Sequence, residues 1–357
     1  MEKSSVAVSA KEPQAKKAPV WPDWYKKLAP FRRRDDRIAA WQVANTLIPY
    51  AGLWYLLVRA IERDAPLVLI VPLILLAAAF LVRLFILFHD CVHGSLFQSR
   101  RANSFFGHLF GILVFTSFED WRFSHLRHHA TYANLDSRGF GDIWTMTLKE
   151  YLAAPRRTRL LYRLYRHPLV VVGLGALFNF ILGQRFPSRQ VRRQERASVI
   201  FTNLALVAIA LLAYKTISLK TYLAIQIPVL WTAGAAGISL FFVQHQFPGG
   251  YWARTPEWDP LRAALEGSSF LQLPAILRWF SGSIGYHHIH HLNPTIPNYR
   301  LKSCFDTIPQ LRAIEPLTLR QSLACFRLKL WDEEKRQMVG FPKHGSHDAT
   351  TGLSPAT

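Results

Sequence analysis

Cysteine is nearly missing from this chain of 357 residues: Cys91, Cys304 and Cys325 stand without any pairing pattern. That excludes a disulfide framework and suits a reducing, cytoplasmic side. Acidic residues are scarce too, 23 against 43 Lys and Arg, and charge of either sign occupies only 18% of the sequence. The resulting net charge of +20 on a soluble domain would suggest nucleic acid. No recognition motif accompanies it, and the aromatics lie in apolar stretches rather than among the basic residues, so no nucleic-acid partner is expected. The N-terminus lacks the apolar core of a signal peptide, so the first apolar helix is expected to be retained. The first ~30 residues, rich in Lys, Ala and Pro, and roughly the last dozen are expected to be disordered.

What the chain has instead is apolar length. Half of its residues are hydrophobic, and the basic residues bracket the apolar runs, which is the pattern of a membrane protein. Crossing a hydrocarbon core takes about 20 apolar residues. Ile38–Ala60, Ala65–Phe88, Ala197–Tyr214 and Tyr222–Phe242 reach or approach that length, and short connections at Ile61–Asp64 and Lys215–Thr221 fold them into two hairpins. The connections carry one and two basic residues, whereas the residues before Ile38 carry ten and Gly94–Arg196 carries sixteen. The positive-inside rule then puts both termini and the middle segment in the cytoplasm and the hairpin tips outside. Phe105–Phe118 and Leu169–Leu182 are short for spanning and are expected to lie on the cytoplasmic face. The expected fold is an all-α integral membrane protein, with four transmembrane helices in two hairpins and a cytoplasmic helical cap. A basic tail (1–37) precedes one membrane domain (38–316), and a C-terminal helical extension and tail (317–357) follow.

Histidine is the residue whose placement stands out. His89-Asp-Cys-Val-His93, His125-Leu-Arg-His128-His129 and His287-His-Ile-His290-His291 use spacings of three and four, which share one helix face, and His245 stands alone. His89 and His93 follow the second apolar run and His245 the fourth, so the predicted topology brings all three clusters and His245 to one side of the membrane. Isolated histidines are usually structural, and His108, His167, His344 and His347 are read so. A single zinc takes three or four protein ligands, fewer than these clusters offer, whereas two metals of higher coordination number would use them. Iron accepts imidazole and is redox-active. A carboxylate-based diiron site would show Glu-x-x-His pairs, which are absent, and a heme would need only one or two of the histidines. The non-enzyme alternative, a membrane metal transporter, would place ionisable groups at mid-bilayer, where these runs have almost none.

On these boxes the chain resembles the integral-membrane fatty acid desaturase and hydroxylase superfamily, and is most similar to bacterial methyl-end (omega-6/omega-3) acyl desaturases. The likeness extends to His89-Asp-Cys-Val-His93-Gly-Ser-Leu-Phe97, to Trp121, Asn134-Leu-Asp136 and Gly141-Asp-Ile-Trp144, to Phe242-Val-Gln-His245-Gln, and to Gly285 through Tyr299. It covers roughly Ile38 to Pro316. The resemblance implies two iron ions (Fe2+) held by His89, His93, His125, His128, His129, His245, His287, His290 and His291. It also implies dioxygen as co-substrate and insertion of a carbon–carbon double bond into a fatty acyl chain. His288 falls in the variable position of its box, about 100° from His287 on a helix, and is left out. Ligating imidazoles are usually oriented through their second nitrogen, and Asp90, Asp120, Asp136 and Asp142 are the candidates, each alternatively offsetting a nearby arginine. No His-Pro-Gly-Gly motif of a fused cytochrome b5 domain is present, so the resemblance implies a separate electron donor such as ferredoxin or cytochrome b5. Related enzymes hydroxylate, form triple bonds or oxidise carotenoids. Val92, where this branch commonly has glycine, is the residue expected to shape the acyl pocket.

Overall fold

The computed structural model describes residues 21–188 and 192–342; the disorder expected before residue 21 and over the last dozen falls outside them, but Asp23–Arg32, within the first ~30, forms a 3-10 helix whose Leu28 packs into the cap. Four long helices dominate: α1 (Asp36–Glu62), α2 (Leu67–His93), α8 (Arg193–Thr216) and α9 (Leu219–His245). Each forms over a predicted apolar run and extends it by a few polar residues that find caps. Asp35 starts α1 by accepting from the amides of Arg37 and Ile38, and Ser218 starts α9 by accepting from Thr221. Gly94 ends α2 in the left-handed conformation, φ 63°, which costs glycine nothing. Helix α2 therefore stops at His93, and α9 stops at His245.

Of these helices, α2, α8 and α9 are long and apolar enough to cross a membrane; α1 matches them in length, but Gln42, Asn45, Thr46, Pro49 and Gly52 interrupt its apolar run. A further span-like element falls on Leu169–Leu182, expected to lie on or dip into the cytoplasmic face. Here α6 (Arg156–Tyr165) leads into a segment of π and 3-10 turns, Leu169–Arg185, at a bend of 69°. One regular α turn, α7 (Gly175–Leu177), interrupts that segment. Pro168 at its start has no amide to continue the ladder, which explains the break.

Helices α3 (Arg100–Leu113) and α4 (Phe118–Thr131) follow α2, with α5 (Leu148–Ala153) after them. Beyond α9 come short helices: α10 (Pro260–Leu265), α11 (Ala275–Phe280), α12 (His287–Leu292), α13 (Asn298–Thr307), α14 (Pro309–Arg312) and α15 (Leu319–Cys325). The all-α expectation needs one amendment. Strand β1 (Met146–Thr147) pairs in parallel with β4 (Leu330–Asp332), which pairs antiparallel with β5 (Gln337–Val339). A second pair, β2 (Phe270–Gln272) with β3 (Pro316–Thr318), is also parallel. The stretch after residue 316 is thus one helix between short strands, too short to show an apolar period.

The main core lies between α1, α2, α3 and α9, on Leu57, Leu84, Phe88, Phe110, Ile225 and Val229. Ile48 and Tyr55 of α1, Leu67 and Val68 of α2, Leu204 and Leu211 of α8 and Trp231 of α9 stay exposed. An apolar surface of that extent is what a bilayer would cover. On α2 the core runs through Phe88 and on to Cys91 and Val92, so His89 and His93 leave the helix from within its apolar packing.

Candidate metal centre

Nine imidazoles from α2, α4, α9 and α12 meet beneath the main core in two groups. The first comprises His89 and His93 of α2, His125 and His129 of α4 and His290 of α12, with one nitrogen of each within 4.8 Å of the others. Its Nε2 atoms follow one another closely: His93 to His125 at 3.0 Å, His125 to His129 at 3.1 Å, His129 to His290 at 3.0 Å. The second group joins His128 to His245 at 3.2 Å, His245 to His287 at 3.1 Å and His287 to His291 at 3.1 Å, again through Nε2.

Hydrogen bonding cannot satisfy such a chain. An imidazole nitrogen has one in-plane position, filled by a proton or a lone pair. Nε2 of His125, His129, His245 and His287 each face two other nitrogens. One cation per group satisfies them all. With metal–nitrogen bonds of about 2.1 Å, adjacent ligands lie about 3.0 Å apart at right angles and about 3.4 Å apart in a tetrahedron. The separations observed sit near the right-angle value, and the first group offers five donors where a tetrahedral shell takes four. Burial and the surrounding imidazoles hold His125, His129, His287, His290 and His291 well below the ordinary histidine pKa, in the neutral form that binds metal. The residues fit two metal ions of high coordination number.

The family model for fatty acid desaturases matches residues 65–321. A fatty acid desaturase of Bacillus subtilis is 42% identical over 316 residues, 88% of this chain and 89% of its own. An sn-1 oleoyl-lipid 12-desaturase of Picosynechococcus is 27% identical, covering 70% of this chain and 72% of its own. An sn-1 acyl-lipid omega-3 desaturase (ferredoxin) of Synechocystis is also 27% identical, covering 63% of each. The chain belongs to the fatty acid desaturase family.

Within this desaturase the carboxylates divide. Asp142 Oδ1 accepts a hydrogen bond from His128 Nδ1 at 2.5 Å, and its other oxygen accepts from the Gly139 amide. Asp90 Oδ1 lies 3.6 Å from His89 Nδ1, while Oδ2 accepts from Asn298 twice, through the amide at 2.8 Å and Nδ2 at 2.9 Å. Asn298 in turn exchanges two bonds with Gln42 of α1. Asp120 and Asp136 do something else. Asp120 accepts from the amide and hydroxyl of Ser188, and Asp136 from Arg254 and the Thr255 amide. Neither touches an imidazole; both tie loops to the cap.

His288 lies across α12 from the metal groups, against Phe270 and Phe305. Val92 is buried in the main apolar core. Two aromatics in the wall of the site carry no metal-ligand signature in the sequence. Trp121 stacks on His125, ring centres 4.2 Å apart and planes within 15°. Tyr132 lies 4.2 Å from the His245 ring and donates its hydroxyl to the carbonyls of Gly267 and His245. Helical spacing was the available signal: Trp121 precedes His125 by four residues, and Tyr132 follows His128 by four. Gln244 donates to the Ile284 carbonyl at 2.9 Å, which fixes the end of α9 against the loop that leads into α12.

Proposed function

We propose that this desaturase inserts a carbon–carbon double bond into the acyl chain of a membrane lipid at two iron ions held by His89, His93, His125, His128, His129, His245, His287, His290 and His291. The observation that carries the reading is the convergence of nine imidazoles, six buried and three half-buried, into two groups directly below an apolar helix core. Bound iron would supply the oxidising power, activating dioxygen so that two methylene hydrogens, two electrons and two further protons leave as two molecules of water. The chain's own part is positional. Asp142 fixes the tautomer and plane of His128, and Trp121 holds the plane of His125. The aromatic and aliphatic side chains above, Phe88 and Phe118 among them, exclude water from the side on which an acyl chain would arrive. Val92 belongs to that wall, and we assign it to shaping the acyl pocket.

The topology we infer has four spans in two hairpins, α1 with α2 and α8 with α9, in a bacterial inner membrane. Both termini and the metal site are then cytoplasmic. The basic residues before Ile38 and in Gly94–Arg196 support it, as do the exposed apolar faces of all four helices. Electrons come from a separate carrier, a ferredoxin or a cytochrome b5. The printed name of the Synechocystis relative specifies ferredoxin, and the basic cytoplasmic face suits an acidic partner.

The deciding experiment expresses the chain in an oxygenated host that supplies a ferredoxin, then measures host lipids by gas chromatography–mass spectrometry and the metal content of the purified protein. New unsaturated acyl chains and two irons per chain are expected. Unchanged lipid despite bound iron and a competent donor would overturn the reading. Hydroxylated or triple-bonded chains would move the enzyme to a sister reaction on the same site, and zinc with metal flux would make it a transporter.

A further inference from the structure

On the far side of α12 from the metals lies a cavity of about 310 Å³, walled by β2, Gly285 and Tyr286 and closed by Arg278 of α11, Phe305 of α13 and Arg312 of α14. Its charged groups are both cationic, Arg278 and Arg312, and its polar side chains otherwise are the Tyr286 phenol and the Gln272 amide. Among the described residues neither Arg278 nor Arg312 pairs with a carboxylate or a carbonyl through its side chain, and the Tyr286 hydroxyl has no hydrogen-bond partner. The carboxylate beside Phe305, Asp306, is held by Lys302 at 2.5 Å. Two unpaired guanidiniums and a free phenol converging on one cavity match an oxyanion, and phosphate above all, because a guanidinium fork binds its oxygens two at a time.

The rim says where the phosphate comes from. On α11, Ile276, Leu277 and Trp279 are 72%, 44% and 40% exposed; on α15, which follows β3 beside the cavity, Leu319 and Leu323 are 47% and 68% exposed. Leu319 and Leu323 are four residues apart and share one face. Short helices that expose apolar side chains around a cationic hollow are built for the boundary between headgroups and acyl chains. The volume is at the lower end for ligand sites, room for a headgroup rather than a whole lipid. We propose that this cavity binds the phosphate of a membrane phospholipid, with Ile276, Leu277, Trp279, Leu319 and Leu323 set into the acyl layer around it. The inference rests on the reading of the chain as a membrane-lipid enzyme, and it seats the cap on the bilayer by a contact separate from the long helices.

The test uses the full-length protein in detergent and measures binding of dioleoylphosphatidylglycerol, dioleoylglycerol and inorganic phosphate by native mass spectrometry. Wild type is compared with Arg278→Gln/Arg312→Gln and with Arg320→Gln, which lies outside the cavity. Loss of two charge-assisted contacts is expected to weaken phosphatidylglycerol binding by about tenfold or more. Dioleoylglycerol binding should be the same in all three proteins, and Arg320→Gln should match wild type. Equal phosphatidylglycerol binding by wild type and the double variant would overturn the site. Binding of inorganic phosphate as tight as that of the lipid would overturn the lipid as its source. If the double variant does not fold, the single variants and Arg278→Lys/Arg312→Lys replace it, the lysine pair being expected to bind more tightly than either glutamine variant. Metal content and lipid unsaturation are read in parallel. A wild type that binds phosphatidylglycerol through these arginines yet forms no double bond would sink the proposed reaction and leave the headgroup site standing.

Discussion

His128 and His288 are both fully buried, and the surroundings of each decide what it can do. Nε2 of His128 faces His245 while Nδ1 donates to Asp142, so one nitrogen is free for a metal and the other is fixed. Outer partners of this kind are typically worth about 10–100-fold in metal affinity. Asp142→Asn should therefore lose iron from the second group in a chelator titration at a concentration the wild type tolerates, with metal content falling from two toward one. Retention of two irons would show that the contact does not govern affinity. His288 packs against phenylalanine rings, its one polar neighbour being the Leu311 carbonyl, which already accepts from the Ile314 amide, and burial lowers its pKa to about 3. An apolar ring of similar size leaves no polar atom stranded, so His288→Phe should change stability by less than about 1 kcal/mol and keep full iron and activity. Loss of iron in that variant would return His288 to the site. Sequence spacing placed these two residues in different roles, because a helix period states which face a side chain takes. It does not state what waits on that face, which is why Tyr132 went unread and Trp121 entered through the resemblance without a role.

At the scale of elements the site depends on contacts that no motif announces. Arg166, at the end of α6, is completely buried, and no carboxylate pairs with it among the described residues. Its Nη2 donates to Gln246 Oε1 and to the Leu328 carbonyl, both at 2.9 Å, and its Nη1 reaches the Trp144 carbonyl and the Thr145 hydroxyl. It therefore ties together the loop that carries Asp142, the residue after His245 and the strands near the C-terminus. Arg166→Gln would strand several buried acceptors, at a cost of about 3 kcal/mol or more. Arg166→Lys should rescue little, since a single ammonium cannot reproduce the fork. The expected signature is a lower melting temperature together with preferential loss of metal from the group containing His128 and His245, read by iron content and spectroscopy. Uniform destabilisation with both metals retained would mean the residue is structural alone. The long helices were legible because an apolar run of about 20 residues has few alternatives. The hub at Arg166 and the short parallel strands were not: Arg166 depends on Gln246 and Leu328, 80 and 162 residues away, and the strands pair Phe270 with Pro316 and Met146 with Leu330, 46 and 184 residues apart.

For the whole molecule, the two metal groups act as cross-links. Their imidazoles come from α2, α4, α9 and α12, so an ion bound in the first group would tie together residues from His89 to His290, and one in the second residues from His128 to His291. Without ions, four buried Nε2 atoms each face two neighbours and cannot be satisfied by hydrogen bonds. An ion that binds only the folded state adds its binding free energy to stability. Stripping the metals should therefore lower the melting temperature by at least about 10 °C, taking several kcal/mol at a few degrees each. It should also expose the cap to protease before the long helices, whose apolar packing does not involve the imidazoles. Refilling with zinc separates the structural from the chemical role. Zinc accepts imidazole but has no redox chemistry, so it should restore most of the lost melting temperature and none of the desaturation. A stripped protein that melts with the loaded one would mean that the nine histidines hold their arrangement without metal, and the cross-link would have to be abandoned.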